Sequence, residues 1–229
     1  MNLIHDFVTL LFPLTCLACG NNLYKNEQII CTSCLMHLPK TNFHLDPENL
    51  AVKIFWGRVR IEAATAQYFY RKGGKVQHLI HQMKYNGHKE VGILLGEIYG
   101  SILKDSDLFN SIDKIIPIPL HKSKLKKRGF NQAEMFAEGL SNAMKVEMDN
   151  KTVLRTVATS TQTKKSRYKR WENVSEIFEV AKPGEISGKH ILLVDDVITT
   201  GATMEACIQA IQKIPDVRIS VAAMAYAAQ

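Results

Sequence analysis

The chain has 229 residues, 46% hydrophobic and 22% charged, with 29 Lys and Arg against 22 Asp and Glu for a formal net charge of +7. Such a length holds one ordinary α/β domain and a small extra module, and the composition is that of a soluble globular protein, which excludes disordered and fibrous classes. No apolar stretch is long enough to span a bilayer as a helix.

Residues 1–50 carry Lys25 and Lys40 against Asp6, Glu27, Asp46 and Glu48, so the whole basic excess lies in the remainder. An anionic partner is therefore expected to meet the larger part of the chain. A basic surface suits a phosphate-rich small molecule as well as nucleic acid.

Met1 to Pro13 is apolar at Leu3, Ile4, Phe7, Val8, Leu10, Leu11 and Phe12, but it carries His5 and Asp6 and lacks a basic start and a small-residue cleavage site. It predicts a short amphipathic helix, not a signal peptide, and a cytoplasmic protein. Cys16-Leu-Ala-Cys19 and Cys31-Thr-Ser-Cys34 follow as two C-x-x-C knuckles. Each can place two thiolates on one tight turn, the first supported by Gly20, and together they complete a tetrahedral zinc site in a segment too short to bury its own core. Four protein ligands leave no open position, so the zinc is structural. Disulfides or a redox pair would need an oxidising compartment or a thioredoxin-like context. Residues 36–50 break pattern at Pro39, Asp46, Pro47 and Asn49. They divide a module at 1–50, amphipathic helix plus zinc ribbon, from a larger domain at 51–229.

In the larger domain, β-favouring residues from Ile54 to Tyr70 suggest strands. Helical spacing follows Gly73 and Gly74 at Val76, Leu79, Ile80 and Met83, and Gly87 stops it. His78 and His81 share a face of this helix without a carboxylate partner and are structural. A second helix is expected from Val91 to Leu103, and a strand from Ile112 to Pro119. The strand opens into Leu120-His121-Lys122-Ser-Lys124-Leu-Lys126-Lys127-Arg128-Gly129-Phe130-Asn131-Gln132, whose cations are either ligand contacts or a solvated helix face. Arg155 to Phe178 is polar and basic, with Lys164, Lys165, Arg167, Lys169 and Arg170. This segment is either a loop over the site or a nucleic-acid contact. Tyr168 and Trp171 within it either stack on bases or anchor the loop.

The segment Ile191 to Thr203 carries the most chemistry. A buried-strand run ends in Asp195 and Asp196, and the turn Thr199-Thr200-Gly201-Ala202-Thr203 precedes a helical pattern with Met204, Cys207, Ile208 and Ile211 on its apolar face. Cys207 is expected to be a small core residue. Gly201 allows a tight turn, and the amides at the helix start point at an anion. Two carboxylates beside a phosphate cradle make sense only if they face hydroxyls or a cation, both of which a magnesium-chelating sugar phosphate supplies. Neither G-x-x-x-x-G-K-[ST] nor G-x-G-x-x-G occurs. A final strand is expected from Val217 to Ala225. Alternation of strand and helix predicts an α/β fold with a parallel sheet and its site at the strands' carboxyl ends.

The hydrophobic strand, acid pair and Thr-Thr-Gly-x-Thr loop resemble the phosphoribosyl pyrophosphate motif of type I phosphoribosyltransferases. The resemblance implies that Asp195 and Asp196 hold the ribose hydroxyls, with magnesium on the ligand, and that Thr199, Thr200, Gly201, Ala202 and Thr203 cup the 5-phosphate. The Pro-Ile-Pro-Leu-His and Arg-Gly-Phe-Asn-Gln strings, Lys84-Tyr85-Asn86-Gly87 and the four cysteines together resemble the ComF family of competence-associated proteins. That likeness implies a zinc module joined to a type I phosphoribosyltransferase-like parallel sheet flanked by helices. Leu120, His121 and Lys122 would meet pyrophosphate, and Gln162, Arg170 and Asn173 satisfy a family pattern. Its functional expectation is pentosyl transfer to an unknown acceptor, associated with DNA uptake. The alternative is a non-catalytic protein handling single-stranded DNA through Lys164, Lys165, Arg167 and Arg170, with the pocket regulatory or vestigial. A third role is a scaffold whose zinc ribbon docks a competence helicase.

Overall fold

The computed structural model describes residues 14–156 and 177–227. The expected N-terminal amphipathic helix and the segment holding Gln162, Lys164, Lys165, Arg167, Tyr168, Arg170, Trp171 and Asn173 lie outside the described residues.

Four parallel strands form the central sheet: β1 (Ala63–Phe69), β2 (Lys114–Pro117), β5 (His190–Ile198) and β6 (Arg218–Tyr226), in the order β1-β6-β5-β2. The two inner strands are apolar runs because both faces are covered by the rest of the protein, and Ile191, Leu192, Leu193 and Val194 are fully buried. An antiparallel pair, β3 (Val153–Arg155) and β4 (Phe178–Val180), stands apart from this sheet, and no pattern in the sequence predicts it. Alternating residues divide the core. Leu192, Val194, Ala222 and Met224 pack on one side, and Ile191, Leu193, Val221 and Ala223 on the other.

The expected helices are present as α3 (Lys75–Tyr85), α4 (Glu90–Leu103) and α7 (Ala202–Ile211). The Lys-rich run forms a short helix, α5 (Lys122–Arg128), with no buried residue, followed by α6 (Gln132–Met144). Helices α4 and α6 nest through glycines. A Cβ on Gly96 would strike the Phe136 carbonyl, and one on Gly139 the Ile93 carbonyl, so this close crossing excludes any side chain there.

Between the cysteine segment and β1, the structure departs from the strand that residue type predicts. Ile54 to Trp56 is a turn, preceded by the short helices α1 (Thr32–His37) and α2 (Leu50–Lys53). Buried Asn49 decides this. Its side-chain oxygen accepts from the amides of Ala51 and Val52, starting α2, while its Nδ2 donates to the carbonyls of Phe43, Asp46 and Ala64. Residues 39–41 are stitched to β1: Phe69 donates to the Pro39 carbonyl at 2.8 Å and Thr41 to the Gln67 carbonyl at 3.1 Å. The cysteines share an apolar cluster with Tyr68 of β1 and with Val76 and Leu79 of α3. Among the described residues, no helix is long and apolar enough to cross a membrane.

Candidate ligand site

Asp195 and Asp196 lie near the carboxyl end of β5, in the middle of the sheet, where Asp195 stands opposite Ala223 of β6. The Asp196 amide donates to the Asp195 side-chain Oδ1 at 2.8 Å, tying the pair together. Burial and the neighbouring Asp196 charge push the Asp195 carboxyl up to about 7, so a hydroxyl donor or a cation is needed to favour its ionised form.

The chain then turns at Gly201, whose φ of 73° lies in the left-handed region and which brings no side chain to cap α7, while the Ala202 amide donates to Thr200 Oγ1 at 3.4 Å. Asp195, Val197 and the residues from Ile198 to Met204 enclose a small polar cavity of about 30 Å³. Asp195 and the Thr199–Thr203 loop expected from the sequence are therefore neighbours in space around one concavity, which Asp196 does not line. The loop is fixed from behind by a segment far away in sequence. The Arg58 guanidinium donates to the Thr200 carbonyl at 2.9 Å and pairs with Glu205, and a Cβ on Gly201 would meet Ile54 Cγ2 at 2.6 Å. Neither Ile54 nor Arg58 carries a sequence signal for this role.

Strand β2 delivers Leu120, His121 and Lys122 to the same end of the sheet, since Ile118 donates to the Val194 carbonyl one residue before the acid pair. They do not line the cavity. His121 is occupied as the cap of α5, its Nδ1 accepting from the Ser123 amide at 3.2 Å. The Arg-Gly-Phe-Asn-Gln string has a structural use. Gly129 closes α5 at φ 82°, while buried Asn131 donates to the Ile118 carbonyl at 2.9 Å and caps α6 through the Ala133 amide. Lys124, Lys126 and Lys127 form a solvated helix face.

The sulfur atoms of Cys16, Cys19, Cys31 and Cys34 lie within 4.8 Å of one another, and all four thiols are free. The amides of Cys31 and Ala18 donate to Cys16 Sγ at 3.2 and 3.4 Å. Burial alone would raise the Cys16 thiol, but these donors hold it down to about 7. Burial pushes Cys34 up to about 12. The donor set, its compactness and the amides aimed at sulfur fit a tetrathiolate metal site, compatible with a small zinc module.

Helix α3 joins the two centres. At its first turn Lys75 faces the Cys34 thiol, which raises the lysine's pKa, and at its last turn the Lys84 ammonium forms an ion pair with Asp196. Lys75 and Lys84 are nine residues apart on this helix, a rise of about 14 Å. His78 and His81 on the same helix contact Gln82 and Tyr85, as expected of structural residues. Cys207 is fully buried in the core.

A parallel sheet flanked by helices, with an acid pair and a threonine-glycine loop near the carboxyl end of an inner strand, is a type I phosphoribosyltransferase-like domain. Residues 127–228 match the family model described as phosphoribosyl transferase domain. The chain is 29% identical over 184 residues to DNA utilization protein YhgH of Escherichia coli (strain K12), covering 79% of this chain and 76% of that protein. It is 24% identical over 212 residues to Competence protein F of Haemophilus influenzae, covering 89% and 93%, and 27% identical over 204 residues to Competence protein ComFC of Bacillus subtilis, covering 80% and 77%. Together with the four-cysteine cluster near its N-terminus, these likenesses support a ComF-family protein.

Proposed function

We propose that the chain binds phosphoribosyl pyrophosphate with magnesium between its acid pair and its threonine-glycine loop, and that this site serves DNA uptake or utilisation. The observation that carries the proposal is the junction of β5 and α7, where the Asp195 carboxylate and the start of the helix line one polar cavity, with Asp196 the next residue of the strand. Anion and acid pair are reconciled by a ligand with phosphate at one end and hydroxyls at the other. The loop amides and Thr199, Thr200 and Thr203 would take the 5-phosphate, and Asp195 and Asp196 would accept from the ribose hydroxyls. Magnesium chelated by the ligand would neutralise the diphosphate and ease its departure from C1. Asp195 and Asp196 would orient the sugar, and catalysis would rest on positioning and charge. A zinc ion held by Cys16, Cys19, Cys31 and Cys34 would be structural.

Calorimetric titration with phosphoribosyl pyrophosphate and magnesium tests this reading. Binding that is lost in an Asp195→Asn, Asp196→Asn double variant supports it. Equal binding by the variant sinks it.

The alternative role, handling of single-stranded DNA, draws support from the exposed basic helix α5 and from the names of the relatives. Lys164, Lys165, Arg167 and Arg170, outside the described residues, would supply further phosphate contacts, and the zinc module would be the place to dock a helicase. Binding to an oligonucleotide should then fall steeply with salt, and neutralising Lys124, Lys126 and Lys127 should flatten the dependence by about one unit of slope for each phosphate that is no longer neutralised. Absence of binding at low salt would dismiss this role.

A further inference from the structure

The cavity beside the acid pair has an unbalanced charge. Its lining residues, Asp195 and Val197 to Met204, include no Lys or Arg, and Asp195 brings a carboxyl to it, with Asp196 the next residue along β5. Arg58, which touches the loop, spends its charge on Glu205 and its hydrogen bond on the Thr200 carbonyl, behind the cavity. Among the described residues, Lys84 forms an ion pair with Asp196, while the Arg155 guanidinium is close enough to Asp195 for their charges to interact. The Lys84 side chain and that of Asp196 are each about one-fifth exposed or less. The backbone of Lys84 is held in place because Met83 beside it is fully buried and the Asn86 amide closes the helix on the Gln82 carbonyl. The four-carbon stem can still swing the ammonium over several ångströms.

We propose that Lys84 is a ligand-contacting residue of this site: paired with Asp196 in the free chain, its ammonium passes to the diphosphate when the ribose hydroxyls occupy the acid pair. The inference rests on the phosphoribosyl pyrophosphate reading. The reason is chemical adjacency. The diphosphate leaves from C1, and a hydroxyl held by the acid pair stands on C2, so an ammonium at Asp196 is one carbon from the diphosphate. In the free chain the same ammonium offsets the repulsion between the two carboxyls. No covalent step is assigned to it.

The test compares two probes, phosphoribosyl pyrophosphate and ribose 5-phosphate, each with magnesium, by calorimetry on wild type, Lys84→Met and Lys84→Arg. Lys84→Met should weaken phosphoribosyl pyrophosphate about 10- to 100-fold, the loss of one charge-assisted contact. It should bind ribose 5-phosphate, which has no diphosphate, at least as tightly as wild type. Lys84→Arg should recover most of the affinity. Equal weakening of both probes would assign Lys84 a structural role and overturn the proposal, as would undiminished affinity for phosphoribosyl pyrophosphate. Wild-type protein that binds neither probe would overturn the site's reading as a whole, and the Lys84 proposal with it. Should Lys84→Met fail to fold, Lys84→Gln, which keeps a polar helix end, replaces it with the same expected outcomes.

Discussion

Arg58 holds the Thr200 carbonyl at 2.9 Å, joining the turn after α2 to the Thr199–Thr203 loop across 142 residues of sequence. Because the guanidinium also pairs with Glu205 in the first turn of α7, it fixes the loop and helix as one unit. Arg58→Met should weaken phosphoribosyl pyrophosphate binding about three- to tenfold, since a net hydrogen bond contributes about 1 kcal/mol. The side chain is more than one-third exposed, so the melting temperature should hardly move. A large melting shift with unchanged affinity would contradict this role.

Gly201 is constrained twice, by its left-handed backbone and by Ile54 and Phe55 packed over it. Gly201→Ala should destabilise by about 2 to 4 kcal/mol, combining backbone strain with overpacking. In urea unfolding, Ile54→Ala should relieve part of that cost when combined with Gly201→Ala. Purely additive effects would show that Ile54 exerts no steric pressure on the loop.

The raised Asp195 carboxyl makes stability and binding respond to pH in opposite directions. Its folded pKa is above the unfolded value, so the folded state holds the proton more tightly. Stability should therefore fall as pH rises from the ordinary carboxylate range through about 7, and Asp195→Asn should remove the slope and stabilise the protein at pH 8 by on the order of 2 kcal/mol. Ligand hydroxyls and cation favour the ionised form, so affinity should rise over the same interval. A wild-type stability profile unchanged by Asp195→Asn would show that burial does not hold the proton there.

Because the cysteines share a core with Tyr68, Val76 and Leu79, metal loss should be felt beyond the knuckles. The purified protein should contain one zinc per chain by elemental analysis. Cys34→Ser should lose it and lower the melting temperature, with a stability cost of on the order of several kcal/mol. Through α3, which runs from Cys34 to Asp196, metal removal should also weaken ligand binding. Full zinc content in Cys34→Ser would contradict the ligand set.

The parts of the site legible in the sequence are contiguous. The run from Ile191 to Thr203 announces itself because strand, acid pair, glycine turn and helix succeed one another, and the cysteines because their spacing is short. What the sequence hides are contacts between distant segments. Lys84 on Asp196 and Arg58 on Thr200 leave no local periodicity, and their partners meet only through the strand order. Side-chain type makes Ile54 to Trp56 look like a strand, whereas Asn49, a single polar residue, caps a helix and dictates a turn. His121 follows a strand end, the usual position of a ligand contact, and in the free chain it is a helix cap.

The most direct measurement is a crystal structure of the protein with phosphoribosyl pyrophosphate and magnesium. The expected result is the 5-phosphate seated on Thr199 to Thr203, the ribose hydroxyls on Asp195 and Asp196, and the diphosphate within hydrogen-bonding reach of Lys84. Ligand density bound elsewhere, for example along α5 with the acid pair still closed on Lys84, would contradict the account.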